Sequence, residues 1–335
     1  MNRLQYDGEE NEFWENLSTL TVQSSEYILS KASNVVSVQN IDFPNFTNPK
    51  ILEYFFSGRS SDKELRFKNC SFKKFDISNF NSTLNKLNFE DCDMEDEVIL
   101  TKSTYKGLKI LGCKFLKNSS LLLKGFKNND NSRIFEIRNT IFNNSLFKVV
   151  NSNLNNTVFS NIKFINTPIT FEDTNVNNLH LNKIVWGKNI VSDRDTFREL
   201  KFIMENQKNF IDSNYFHSLE MEEYRKELEK TNFFENFEDK ILFNINYLIS
   251  NFSQSWIFPT MYLFIFSIGF FSMGYIDGGR EYMEYTLNDF FKFTNPLSKN
   301  TNEFDSIYSY WFIHKIISIV FIYHIVVSLK NKMRK

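Results

Sequence analysis

The motifs that announce catalysis are missing from this chain. It has no GxSxG, no P-loop, no HExxH and no paired Cys/His set, so it offers no nucleophile elbow, phosphate cradle or zinc-ligand spacing. Charge of one sign is missing as well. The balance of 39 Lys and Arg against 40 Asp and Glu leaves a formal net charge of −1, and no global field draws the chain to nucleic acid or anionic lipid. Cysteine is scarce. The three residues include no CxxC, and an odd number cannot all pair. Residues 1–35 lack a positively charged, long apolar start, so no secretory signal peptide is expected. These absences set the expectation: not an enzyme, with no catalytic, cofactor-binding or metal residues and no nucleic-acid partner.

What the chain does have is repetition. Seven copies of one pattern begin at Val36, Leu65, Leu87, Leu108, Phe135, Thr157 and Leu179, spaced 29, 22, 21, 27, 22 and 22 residues apart. LRFKNCSF and LNFEDCDM show it: apolar residues at positions one and three, a turn former at five, a small or β-branched residue at six, a large one at eight. Position five holds Asn40, Asn69, Asp91, Gly112, Asn139 and Asn161, with Lys183 the exception. Residues two apart on a strand share a face, and Asn, Asp or Gly tolerates a backbone corner. A repeat near 22 residues built this way predicts a mainly β solenoid, a right-handed parallel β-helix. A third apolar run, carried by Ile77, Ile99 with Leu100, Leu121 to Leu123, Phe147 with Val149, Ile169 with Phe171, and Ile190, makes about three strands per coil and leaves three- and four-sided coils both open. The stretches 47–58 and 125–133 read as excursions from its side. Asn content alone has a second source in an AT-rich coding sequence; its placement at corners carries more weight.

The position-eight residues Phe43, Phe72, Met94, Phe115, Phe142, Phe164 and Trp186 are predicted to form an internal ladder. Cys70, Cys92 and Cys113 share position six with Ile41, Thr140, Ile162 and Ile184. A column that accepts isoleucine is a column of small buried residues rather than a metal or disulfide site.

Five domains are expected: an N-terminal cap over 1–35, the solenoid over 36–191, a helical linker over 192–255, a transmembrane hairpin over 256–329 and a basic tail over 330–335. In the cap, Phe13, Trp14, Leu17 and Leu20 suggest a short helix plugging the first coil. The linker carries a helix pair, the first with Phe197, Leu200, Ile203 and Met204 at helical spacing, the second from near Asp212. His217 beside Glu220, Glu222 and Glu223 is read as solvated surface rather than a metal site. The stripe Ile241, Leu242, Ile245, Leu248, Ile249 and Phe252 predicts an interfacial helix, with a buried soluble helix as the alternative. Trp256 to Tyr275 is 20 residues without a charge, long enough to span hydrocarbon. The second span, 310–329, contains three membrane-embedded polar residues, His314, Lys315 and His324. His314 and Lys315 are placed in its first turn, within reach of the interface. His324 is expected to be neutral and hydrogen-bonded toward the partner span.

The stretches FRELKFIMENQKNFIDSNYFHSLEMEEYRKEL, SNFSQSWIFP and WFIHKIISIVFIYHIVVSLKNKMRK, over residues 193–335 and following the repeats, resemble bacterial pentapeptide-repeat or β-helix membrane proteins that end in a two-helix membrane region. In that family similar segments form a helix pair, a Gln-Ser turn into a span with an early proline, and a last span before a basic tail. The matching positions here are Gln254, Ser255, Pro259 and Lys330 onward; Ser253 departs by standing where glycine is expected. The resemblance implies architecture and a bacterial inner membrane, and little about activity.

Three functions follow for testing. The leading one is a membrane-anchored scaffold whose solenoid engages a protein partner, with the lipid bilayer as its other contact and assembly into a homo-oligomer left open. A two-helix channel subunit is the second, although the connection between the spans lacks a TVGYG-like filter. A β-helix enzyme on polysaccharide is the third, its nearest candidates being Glu90, Asp91, Asp93, Glu95, Asp96 and Glu97 on one coil. Lys330, Lys332, Arg334 and Lys335 follow the second span directly, so both termini and the solenoid are expected on the cytoplasmic side.

Overall fold

A computed structural model describes residues 28–31, 35–47, 64–76, 84–101, 105–126, 135–231, 236–277, 287–295, 297 and 308–333. The expected N-terminal helix and most of the two excursions lie outside them. The chain divides into two compact units, Met1–Ile203 and Met204–Lys335.

The first unit is a parallel β-solenoid of about five turns with about 22 residues per coil. The repeat copies stack in register. Val38, Phe67, Phe89, Ile110, Ile137, Phe159 and Leu181, all at position three, form one continuous ladder. The coils turn at left-handed residues: Asn139, Asn144, Asn151 and Asn156 in one coil, then Asn161, Asn166, Asp173 and Asn178 in the next, with φ between 46° and 57°. Successive corners fall 5, 7, 5 and 5 residues apart, which closes a 22-residue coil with four sides. Three sides carry strands. The fourth carries no strand among the described residues; an isolated bridge between Asn153 and Asn175 and a bond from Asn153 N to Phe126 O at 2.6 Å join it to its neighbours. Asn and Asp visit the left-handed region at little cost, whereas most side chains pay roughly 1–2 kcal/mol there, so the asparagines stand where the backbone needs them. Lys183 is left-handed too, at φ 52°, without the short polar side chain that eases this conformation for Asn.

Corners followed by a small polar residue are tied twice. A corner amide donates to the next coil, as Asn40 N does to Lys68 O at 3.1 Å and Asn69 N to Glu90 O at 2.8 Å. The small residue after the corner points inward and donates back across it. Cys70 does so to Lys68 O at 3.4 Å, Cys92 to Glu90 O at 3.3 Å, Thr140 to Arg138 O at 3.0 Å and Thr174 to Glu172 O at 2.8 Å. At these corners the buried hydroxyl or thiol is satisfied within two residues of itself.

Between the corners the core is aromatic. Phe43 stacks on Phe72 at 4.9 Å, Phe115 on Phe142 at 4.4 Å and Phe142 on Phe164 at 5.0 Å. Burying one such ring contributes about 1.5–3 kcal/mol. In the third run Ile77 lies outside the described residues. Ile99 is only half-buried, while its neighbours Val98 and Leu100 face in.

Both ends of the stack are closed. Ile28–Lys31 pairs antiparallel with Val35–Gln39 and occupies the outer edge of the first coil. At the other end helix α1 (Arg194–Asn206) begins where the next coil would have continued: Thr196, 22 residues after Thr174, donates to its carbonyl at 3.2 Å. Asp193 caps this helix by accepting from Thr196 N at 2.7 Å. Phe197 and Leu200 are buried.

The second unit is helical: α2 (Phe210–Lys230), α3 (Phe237–Ser250), α4 (Ile257–Asp277), α5 (Leu287–Thr294) and α6 (Tyr308–Met333). Asn209 caps α2, accepting from Asp212 N. Asn251, Phe252 and Ser253 are all left-handed, with φ of 48°, 54° and 63°, and turn the chain from α3 toward α4. A glycine would be at ease at 253, and serine is anchored instead by its amide donating to Ser250 Oγ at 2.9 Å. Gln254 Nε2 donates to Asn214 O at 3.0 Å, and Asn214 Nδ2 donates to Asn331 O at 3.0 Å, tying α2 to the end of α6. Helix α4 packs on α6 through Phe266 and Phe321, ring centroids 5.5 Å apart. Among the described residues one helix, Tyr308–Met333, is long and apolar enough to cross a membrane; Ile257–Met273 is apolar but shorter.

Candidate functional site

The polar groups singled out in the last helix are not at its ends. Helix α6 starts at Tyr308, so His314 and Lys315 sit in its second turn, and both are buried. They lie past the first turn where they were expected, and α4 and α5 pack over them. His314 Nε2 lies 2.9 Å from Ser267 Oγ on α4 and 3.1 Å from Ser318 Oγ one turn along α6. Its ring also meets Phe293 of α5 at 4.7 Å between centroids. Lys315 Nζ donates to Phe293 O at 3.0 Å and to Asn295 O, and sits 5.1 Å from the centre of the Trp311 ring. The ammonium thus rests at the C-terminal end of α5, where carbonyls lack partners within the helix and the helix dipole is negative.

His324 is hydrogen-bonded, but to a different helix from the one expected. Its Nδ1 lies 3.1 Å from Ser250 Oγ, the last residue of α3, rather than reaching α4. The two histidines therefore belong to separate polar contacts. Ser267, Ser250 and Ser318 went unnoticed in the sequence. The separations of 47 and 74 residues to the first two carry no local signal, whereas Ser318, four residues from His314, was available from helical spacing.

In the solenoid, Phe43, Phe72, Met94, Phe115, Phe142 and Phe164 are all buried, and Trp186, half-buried, stacks on Phe164 at 6.2 Å. Cys70, Cys92 and Cys113 are buried free thiols, and burial raises Cys70 and Cys92 well above the ordinary thiol pKa of 9.0. Of the acidic patch on one coil, Glu97 pairs with Lys74 at 3.1 Å, Glu90 with Arg66 at 4.0 Å, and Glu95 accepts from Ser71 Oγ at 2.7 Å. Similar cross-coil pairs join Lys109 to Glu136 at 3.6 Å and Lys148 to Glu172 at 2.7 Å. His217 lies 3.7 Å from Glu220, and no group of three or more metal-ligating side chains occurs among the described residues.

Two clefts stand out. One, about 390 Å³, lies beside the end of the solenoid with Asp173, Asp193, Asp195 and Glu199 in its lining. Asp193 is already spent on the helix cap, and Asp195 pairs with Arg198 at 2.8 Å. The other, about 310 Å³, lies between α2 and α3. The chain matches no known protein family, no curated protein and no solved structure.

Proposed function

We propose that this chain is a membrane-anchored β-solenoid scaffold that presents its coils to a protein partner and carries out no catalysis. The observation that carries this reading is the pairing of a regular solenoid, its outward charges engaged with one another across coils, with a C-terminal helix long and apolar enough to cross a membrane. In this reading α4 is the second span. Its exposed Phe264, Ile265 and Ile268 and the exposed Ile316, Ile319 and Val320 of α6 face hydrocarbon. The three five-residue sides of a coil, set against one of seven, support a pentapeptide-repeat ancestry. Lys330 and Lys332 in the last turn of α6 support a cytoplasmic tail, with the solenoid on the same side. Alkaline phosphatase fused at residue 300 and at the C-terminus tests the topology. Activity is expected only at residue 300, and activity only at the C-terminus would invert it. Capture from detergent-solubilised membranes tests the scaffold role: recovery of no specific partner by the intact chain counts against it.

A further inference from the structure

Helix α3 turns its apolar stripe outward. Ile241, Leu242, Ile245 and Leu248 are 42%, 57%, 42% and 63% exposed, while Phe243 packs inward on Tyr224 with ring centroids 4.6 Å apart. On a helical wheel Asn244 borders this stripe, lying 40° from Leu248 and 60° from Ile241 at 100° per residue. Lys240 is the next residue round on the same side. The 310 Å³ cleft opens along this border, its lining holding Arg225, Lys240 and Asn244, the carboxylate of Glu229, and the apolar Leu228 and Phe243. An apolar floor with two cations and an amide at its rim is a lining for an amphiphile.

The cations are held in place. The Arg225 guanidinium lies over the Tyr247 ring, 4.6 Å from its centre, and Lys240 Nζ donates to Thr231 O at 2.9 Å. Arg225 Nε is buried and has no hydrogen-bond partner among the described residues. The carboxylate nearest it, on Glu229, is 3.8 Å away, too far for a hydrogen bond, on a side chain that is 66% exposed. A buried guanidinium donor without an acceptor costs free energy unless a ligand supplies one. A phosphate oxygen is the acceptor that guanidinium geometry suits best.

We infer that the α2–α3 cleft binds the headgroup of an anionic phospholipid, Arg225 and Lys240 taking the phosphate and the apolar face of α3 lying along the acyl chains. The inference rests on the membrane reading of the chain and places α3 in the plane of the lipid interface. Charge complementarity selects this occupant over a protein helix: two cations against one rim carboxylate favour an anion, and the apolar stripe continues directly from it.

The test uses the full chain in detergent micelles, following its thermal unfolding midpoint with short-chain phosphatidylglycerol, short-chain phosphatidylcholine or inorganic phosphate. Phosphatidylglycerol should raise the midpoint, phosphatidylcholine much less. Arg225→Gln and Lys240→Gln should each weaken the apparent affinity about tenfold, while Lys240→Arg should retain it. An equal shift from inorganic phosphate at the same concentration overturns the lipid assignment, and an undiminished shift in both Gln variants overturns the site. Flotation of the wild-type chain with vesicles separates the two readings. A chain that floats but shows no lipid-dependent shift loses only the headgroup site, and one that fails to float loses the membrane reading itself.

Discussion

The two units satisfy their buried polar groups in opposite ways. In the solenoid a thiol or hydroxyl donates to a carbonyl two residues behind it, as Cys92 does to Glu90 and Thr140 to Arg138. In the helical unit the buried groups of the last helix, besides Ser318 beside His314, draw partners from other helices: Ser267 for His314, Ser250 for His324, and the end of α5 for Lys315. A local rule can be repeated coil after coil with any small donor in the slot. A contact across helices must be built once, with both partners fixed, and losing one strands the other.

The largest effect expected from breaking this contrast is at Phe142, stacked between Phe115 and Phe164. Phe142→Ala should cost about 3–5 kcal/mol in chemical denaturation, while a change at the exposed Asn143 should barely move the curve; equal shifts would remove the aromatic ladder from the account. Next, Lys315→Met leaves the carbonyls of Phe293 and Asn295 without their ammonium donor. It should cost roughly 1.5–3 kcal/mol and speed amide exchange in α5 while the solenoid amides exchange as before. Exchange rising in both units alike would deny that the contact is local to the helices. Smaller is Asn139→Ala at a left-handed corner, about 1–2 kcal/mol, against Asn139→Gly near zero; an equal cost for both would mean that the lost Asn161 to Asn139 side-chain bond of 2.8 Å outweighs the backbone. The smallest concerns the thiols. Burial raises the folded pKa of Cys70 and Cys92, so the native state holds these two protons longer than the unfolded state. Any stability this contributes is present below pH 9.0 and is lost as pH rises past it toward the folded value. Cys92→Ala should flatten that alkaline loss and change neutral stability little, and rapid labelling of native thiols at neutral pH would contradict their burial.

The same contrast explains what could be read from the chain. Position five of the repeat marks a left-handed corner in all seven copies, Lys183 included, because the corner is a property of one residue and its neighbours. The other three corners, at Asn144, Asn151 and Asn156 in one coil, were as visible. They were passed over because the 7-residue side breaks the strict five-residue count and leaves the number of sides ambiguous. On α3 the structure leaves Ile241, Leu242, Ile245 and Leu248 exposed, and their stripe was legible. Arg225 and the serines were not, since their importance depends on groups tens of residues away that only the packed helices bring close.

The short strand Ile28–Lys31 has a consequence beyond its own four residues. A parallel coil edge accepts another parallel edge, so an unblocked solenoid is one unit of an open-ended filament whose growth step is the addition of a further chain. Ile28–Lys31 runs the wrong way. By filling the Val35–Gln39 edge with a strand of opposite polarity it denies that edge a parallel partner. A chain truncated before Val35 should therefore pair through the freed edge with a second copy, and because α1 stands where the next coil would begin, growth should stop at two, which light scattering would register as a doubled mass rather than as precipitate.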